Sequence, residues 1–185
     1  MFRKSILTYD AMIILGIDPG TTRAGFGVVR CKPALKLLDC GLLKVSSNIA
    51  HIRLRELHEG MQRLIKKWKP EAVAVEKLFF AKNAKTALEV SEARGVILLT
   101  TALAGLTVYE YTPLEVKKVV TGDGRADKKQ LEKMVRLTLV ETRELKAHDD
   151  VFDAIAIALT CHFSERNFKK AFNKGKVEYP NPNKS

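Results

Sequence analysis

Four carboxylates stand where a carboxylate is hard to explain as solvated surface. Asp18 closes the apolar run Ile13-Ile14-Leu15-Gly16-Ile17 and is followed by Pro19-Gly20-Thr21-Thr22. Glu76 closes a second apolar run, Ala72-Val73-Ala74-Val75. Asp150 and Asp153 lie three residues apart at the head of a stretch that is apolar on every side as far as Leu159. In a helix that spacing puts both acids on one face. A charge beside so much apolar surface is costly unless it is paired, hydrogen-bonded or on a metal. Two like charges one turn apart repel unless a cation lies between them. Oxygen-only donors suit Mg²⁺ or Mn²⁺. Two such ions about 3.5–4 Å apart can activate a water and stabilise the leaving oxygen of a phosphodiester. Taken singly, each acid reads as a cap or a surface charge. Asp149, four before Asp153, reads best as a helix start that favours the dipole. Three separate segments ending in acids, in a basic chain, favour a shared cation site.

The elements that must position these acids follow from periodicity. Ile13–Asp18 is a buried strand stopped by Pro-Gly. Ala24–Val29 follows at hairpin distance, and Leu35–Val45 closes an antiparallel meander. His51–Trp68 is an amphipathic helix with Leu54, Leu57, Met61, Leu64, Ile65 and Trp68 on its apolar face. Ala72–Glu76 is a fourth, fully buried strand. Lys85–Ala104 is a long helix in which Gly95 is expected to mark a close backbone approach. Leu106–Tyr111 is a fifth strand. Thr112-Pro113-Leu114-Glu115 starts a helix with a capping box and Pro at its first position. That helix stops by Gly122. Asp127 with Gln130 caps the next, through about Val140, and the last helix runs from about Asp149 to Phe163. The expected fold is α/β, a five-stranded mixed sheet flanked by helices, with ligands beyond the carboxyl ends of its strands.

Formal net charge is +11, which favours polyanionic partners, nucleic acid before membrane. Residues 166–185 hold six Lys or Arg and only Glu178 as an acid, yet the rest of the chain stays net positive. The expected organisation is a poorly ordered extension over 1–11, a catalytic domain over 12–165 and a disordered basic tail over 166–185. Cys31, Cys40 and Cys161 are widely spaced, which fits packing roles in a reducing cytoplasm. No run approaches the length of a membrane span, and residues 1–11 lack the apolar core of a signal peptide.

Gly16-Ile17-Asp18-Pro19-Gly20, Val75-Glu76, Ala93-Arg94-Gly95-Val96 and Asp150-Val151-Phe152-Asp153-Ala154 resemble the motifs of the RuvC-type Holliday-junction resolvases, in that family's order and spacing. The resemblance covers about residues 12–163. It implies an RNase H-like fold and a homodimer. It implies paired, symmetric cuts in a four-way DNA junction with two Mg²⁺ per site (Mn²⁺ possible), and collaboration with a branch-migration helicase. By position it assigns the four acids to Asp18, Glu76, Asp150 and Asp153. The family's third position varies between Asp and His, which brings in His148 and Asp149, although the spacing of three before Asp153 favours Asp150. Phe79, just after Glu76, corresponds to a base wedge. Lys82 and Lys85 flank that loop. Lys117 and Lys128 match phosphate-holding positions, with Lys118, Arg125 and Lys129 nearby. The helix Lys85–Ala104 is the expected dimer surface.

Other readings remain open on the acids alone. One is an RNase H-like metal nuclease acting on RNA or RNA–DNA hybrid. Another is a junction-binding protein without catalysis, against which four intact acids argue. A sugar-kinase or actin-like ATPase shares the Asp-Pro-Gly-Thr-Thr loop, but needs two lobes, and this chain shows no repeat.

Overall fold

The computed structural model describes residues 12–20, 22–77 and 84–164. The 1–11 extension, the tail beyond Ser164, Phe79 and Lys82 lie outside the described residues.

A single sheet runs in the order β3-β2-β1-β4-β5. β1 (Ile13–Asp18), β2 (Arg23–Arg30) and β3 (Lys36–Lys44) form the antiparallel meander. β4 (Ala72–Glu76) lies parallel to β1, and β5 (Thr107–Tyr111) parallel to β4. Parallel neighbours need crossover connections. Helix α1 (Ala50–Trp68) lies in the connection from β3 to β4, and α2 (Ala84–Leu103) in that from β4 to β5. The mixed five-stranded sheet is therefore the one the periodicity predicts.

Alternation along the strands splits the core in two. Leu15, Ile17, Phe26, Val28, Val73 and Val75 pack with Leu57, Met61 and Leu64 of α1 and Ala93 and Ile97 of α2. Ile14, Val29, Ala74 and Tyr111 face the other way. They meet α3 (Pro113–Thr121), α4 (Lys128–Thr138) and α5 (Asp149–Ser164). Both expected capping boxes are present. Thr112 and Glu115 exchange bonds at the start of α3, and Asp127 and Gln130 do so at α4. Gly122 ends α3 at φ 84°, a conformation open to glycine at no steric cost. The α4 expectation through Val140 overshoots. Leu139 turns extended so that its side chain enters the core, and a single 3₁₀ turn, Val140–Thr142, follows.

α5 is buried on nearly all sides, and what makes room for it is glycine. A methyl group on Gly16 would collide with the backbone oxygen of Ala154 and come within 2.9 Å of the Ala158 Cβ. On Gly25 it would strike the backbone oxygen of Asp150, and on Gly27 it would meet the Ile155 Cγ1 at 2.7 Å. Within the chain nothing described approaches Gly95 closely: that residue is exposed on α2, and a methyl there would meet no described atom within 4 Å. Close backbone packing sits beneath α5 instead.

Among the described residues, no helix is long and apolar enough to cross a membrane. Cys31 and Cys161 are buried in the core. Burial pushes the Cys31 thiol up to about 12, as does Glu71, with Lys32 opposing, so it packs rather than reacts.

Candidate active site

Two backbone relations bring the acids together. In the parallel ladder Ile17 faces Val75, so Asp18 and Glu76 follow side by side at the carboxyl ends of β1 and β4. In the antiparallel ladder Asp18 faces Gly25, and the backbone of Asp150 rests on Gly25. The first turn of α5 is thereby held beside Asp18, and Asp153 follows one turn on, on the same face.

Electrostatics records the crowding. Asp18 is pushed up to about 8, first by burial, then by Glu76, Asp153 and Asp150, with Lys128 opposing. Glu76 is pushed up to about 7, by burial first and then by Asp153, against the pull of Lys128 and Lys117. Asp153 is raised by burial, although Lys128 holds it back. These are groups that gain from a cation in their midst.

The chain's own cations partly fill that need. Lys128 Nζ stands 3.5 Å from Asp153 Oδ2 and 3.6 Å from Asp149 Oδ2. Partial burial pulls the Lys128 pKa down, but Asp153 and Asp149 outweigh it and leave the group raised. Arg23 Nε donates to Asp150 Oδ2 at 2.8 Å, and its Nη2 lies 2.9 Å from His148 Nε2. An arginine can only donate, so Nε2 accepts. The imidazole proton then sits on Nδ1, 3.2 Å from Asp150 Oδ2. The Asp150 amide lies 3.4 Å from the same Nδ1 and cannot donate to it while Nδ1 carries the proton. With Asp150 turned to Arg23 and Asp153 to Lys128, no three His, Cys, Asp or Glu side chains among the described residues are gathered closely enough to hold an ion. The donor chemistry nonetheless fits a hard divalent cation: half-buried carboxylate oxygens, three of them with pKa values raised by burial and by neighbouring acids.

Of the other expected DNA contacts, Lys117 is near enough to Glu76 to depress its pKa. Lys118 and Arg125 are exposed and have no bond to the acids; the Arg125 amide donates to Asp123 Oδ1 at 2.9 Å within the loop before α4. Lys85 lies in the first turn of α2. The sequence reading missed Arg23. Its one available signal was place: it opens the strand that pairs with the Asp18 strand. It also gave Arg94 no role, yet Arg94 Nε donates to the Glu76 backbone oxygen at 3.3 Å and its guanidinium pairs with Glu110, steadying the end of β4.

Raised carboxyls make the metal-free fold sensitive to pH. An acid whose pKa is higher in the folded chain than in the unfolded one binds its proton more tightly when folded. Stability is then full below the ordinary carboxylate range, and is lost as pH rises through the folded values of about 7 and about 8. Melting in the presence of chelator should show Tm falling between pH 5 and pH 8.5. A Tm flat or rising across that window would mean the acids are not crowded in solution.

The strand order, with acids at the carboxyl ends of β1 and β4 and at the head of a helix laid across the sheet, defines an RNase H-like α/β protein. The family model for crossover junction endodeoxyribonuclease RuvC matches residues 14–162, and the chain belongs to that family. It is 49% identical over 150 residues to the crossover junction endodeoxyribonuclease RuvC of Roseiflexus sp. (strain RS-1), covering 80% of this chain and 88% of the relative. It is 44% identical over 163 residues to that of Alkaliphilus metalliredigens (strain QYMF), covering 87% and 98%. Among solved structures it resembles T. thermophilus RuvC in complex with Holliday junction substrate, at 38% identity and a TM-score of 0.78, covering 84% of this chain and 95% of that one. The yeast mitochondrial Holliday junction resolvase Ydc2 shares the fold at a TM-score of 0.62 and 13% identity, covering 89% and 85%.

Proposed function

We propose that this protein is a metal-dependent endonuclease that resolves four-way DNA junctions by paired, symmetric phosphodiester hydrolysis. It would act as a homodimer in the cytoplasm, alongside a branch-migration helicase. Asp18, Glu76, Asp150 and Asp153 would hold two Mg²⁺ ions, for which Mn²⁺ could substitute. The observation that carries the reading is the set of carboxyls raised by burial and crowding at the meeting point of β1, β4 and α5, in a chain of net charge +11. Family membership narrows the substrate from nucleic acid at large to the junction. When bound, the ions would supply a nucleophilic water and charge for the leaving oxygen.

The protein's part is placement. Gly25 seats the first turn of α5 beside the end of β1. Lys117 and Lys128 flank the acids, where they can take phosphate oxygens. Lys82, Lys85, Lys118 and Arg125 would follow the backbone of the arms, with affinity falling as salt rises. A two-fold dimer sets one acid cluster against each of two opposed strands. α2 suits that contact, since Leu88, Leu99 and Leu103 are 64%, 59% and 73% exposed on it.

The test is cleavage of a synthetic four-way junction beside a linear duplex of matched sequence, in Mg²⁺, Mn²⁺ or chelator. Symmetric cuts in the junction only, lost in chelator, are expected. Cutting of an RNA-containing duplex instead would overturn the junction reading. Binding without cutting under every metal would overturn catalysis. Phe79→Ala should lower junction cleavage about tenfold, the worth of one lost base-stacking contact, with Tm and elution volume unchanged. A parental rate would end the wedge assignment.

A further inference from the structure

The two cations at the acidic cleft are held differently. Lys128 is a loosely placed ammonium, 64% exposed and shared between two acids at 3.5 and 3.6 Å. Arg23 is anchored twice, through Nε to Asp150 at 2.8 Å and through Nη2 to His148 at 2.9 Å. His148 in turn faces the same Asp150 oxygen at 3.2 Å. The Oδ2 of Asp150 is therefore occupied from two sides. Asp18 and Glu76 have no such guanidinium or imidazole partner among the described contacts.

We propose that Arg23 is a positioning residue that competes with the divalent ion for Asp150. The proposal rests on the four-acid reading of the site. A divalent ion entering the cleft can meet Asp18 and Glu76 directly, but must displace a guanidinium to recruit Oδ2 of Asp150. A guanidinium does not lose its proton in proteins, so this competition does not fade at high pH as that of an amine would. Arg23 sits at the mouth of the cleft with its side chain 44% exposed. Its fork is suited to two phosphate oxygens as well as to a carboxylate. A DNA backbone reaching the mouth would draw Arg23 off and free Asp150 for the ion. By linkage, ion and DNA would then each tighten the other.

The experiment is Mn²⁺ binding to the free protein, followed by electron paramagnetic resonance at fixed ionic strength, with melting curves for every variant. Arg23→Gln should bind Mn²⁺ about fivefold more tightly than the parent, the upper worth of a partly exposed ion pair. Arg23→Lys loses the fork and should also bind more tightly than the parent, by a smaller factor. Lys44→Gln is the charge control. Lys44 lies directly across the ladder from Arg23, is exposed, and has no described bond to the acids. It should stay within about twofold of the parent, because an exposed charge with no bond to the acids is worth little in high dielectric. A damaged site would lose affinity, so the gain separates competition from structural harm. Unchanged or weaker binding in Arg23→Gln, parental binding in Arg23→Lys, or equal gains in Lys44→Gln and Arg23→Gln would each overturn the proposal. Parental Mn²⁺ binding in Asp18→Asn would instead overturn the four-acid reading beneath it.

Discussion

Exchanging Asp18 for Asn should abolish junction cleavage, by at least about a thousandfold, and at the same time raise the Tm of the metal-free protein at pH 8. Both effects come from one carboxylate. Asp18 is pushed up to about 8 by burial and by Glu76, Asp153 and Asp150. In the absence of a divalent ion its charge is a liability to the fold, and the neutral amide of nearly equal shape removes it. In the proposed reaction that same charge is what holds the ion, and an amide oxygen replaces it poorly. Single-turnover cleavage and chelator-treated melting curves read the two halves separately. Retained cleavage would sink the metal-site assignment. Lost cleavage with a lowered Tm would mean that Asp18 is structural.

Gly25→Ala should be the costliest single methyl among the described glycines. The added carbon would land on the backbone oxygen of Asp150, with the Asp150 Cβ at 3.2 Å, and backbone cannot rotate aside as a side chain can. Relief requires lifting the first turn of α5 from the sheet, at about 3 kcal/mol. Because Gly25 faces Asp18 across the ladder, that lift also separates Asp150 from Asp18. Urea unfolding should show the loss of stability. Cleavage measured well below the unfolding midpoint should fall by about a hundredfold or more, from displacement of a catalytic group. Stability within about 0.5 kcal/mol of the parent would show that the helix does not sit on the glycines as described.

Much of this was legible in the chain. The five strands and their mixed order follow from short apolar runs and the lengths between them. Both capping boxes could be named by residue, because the three-residue spacing of Thr112 with Glu115 and Asp127 with Gln130 is a local property. The four acids stand out in the sequence as misfits, two closing apolar runs and two heading one. What was not legible depends on partners distant in the chain. Gly25 carries no local mark of its role, which comes from a helix 125 residues later. Arg23 reads as an ordinary strand-opening charge until α5 brings Asp150 and His148 to it. Gly95 stands out because glycine is costly inside a helix, and no described residue of the same chain packs against it. Leu139 shortened α4 because a buried side chain outweighed two more helical residues.

The glycine floor under α5 has a bearing on how this chain can change in length. At Gly16 and Gly25 backbone meets backbone, with no side-chain layer to absorb an adjustment. One residue inserted into β1, β2 or the first two turns of α5 would rotate or flip every side chain beyond it, taking an acid out of the cleft. Changes of length are therefore expected to be borne in the connections rather than in these segments. Drift in this protein can lengthen its loops, but between Asp18 and Asp153 the spacing of its core segments is bound by contact rather than by chemistry.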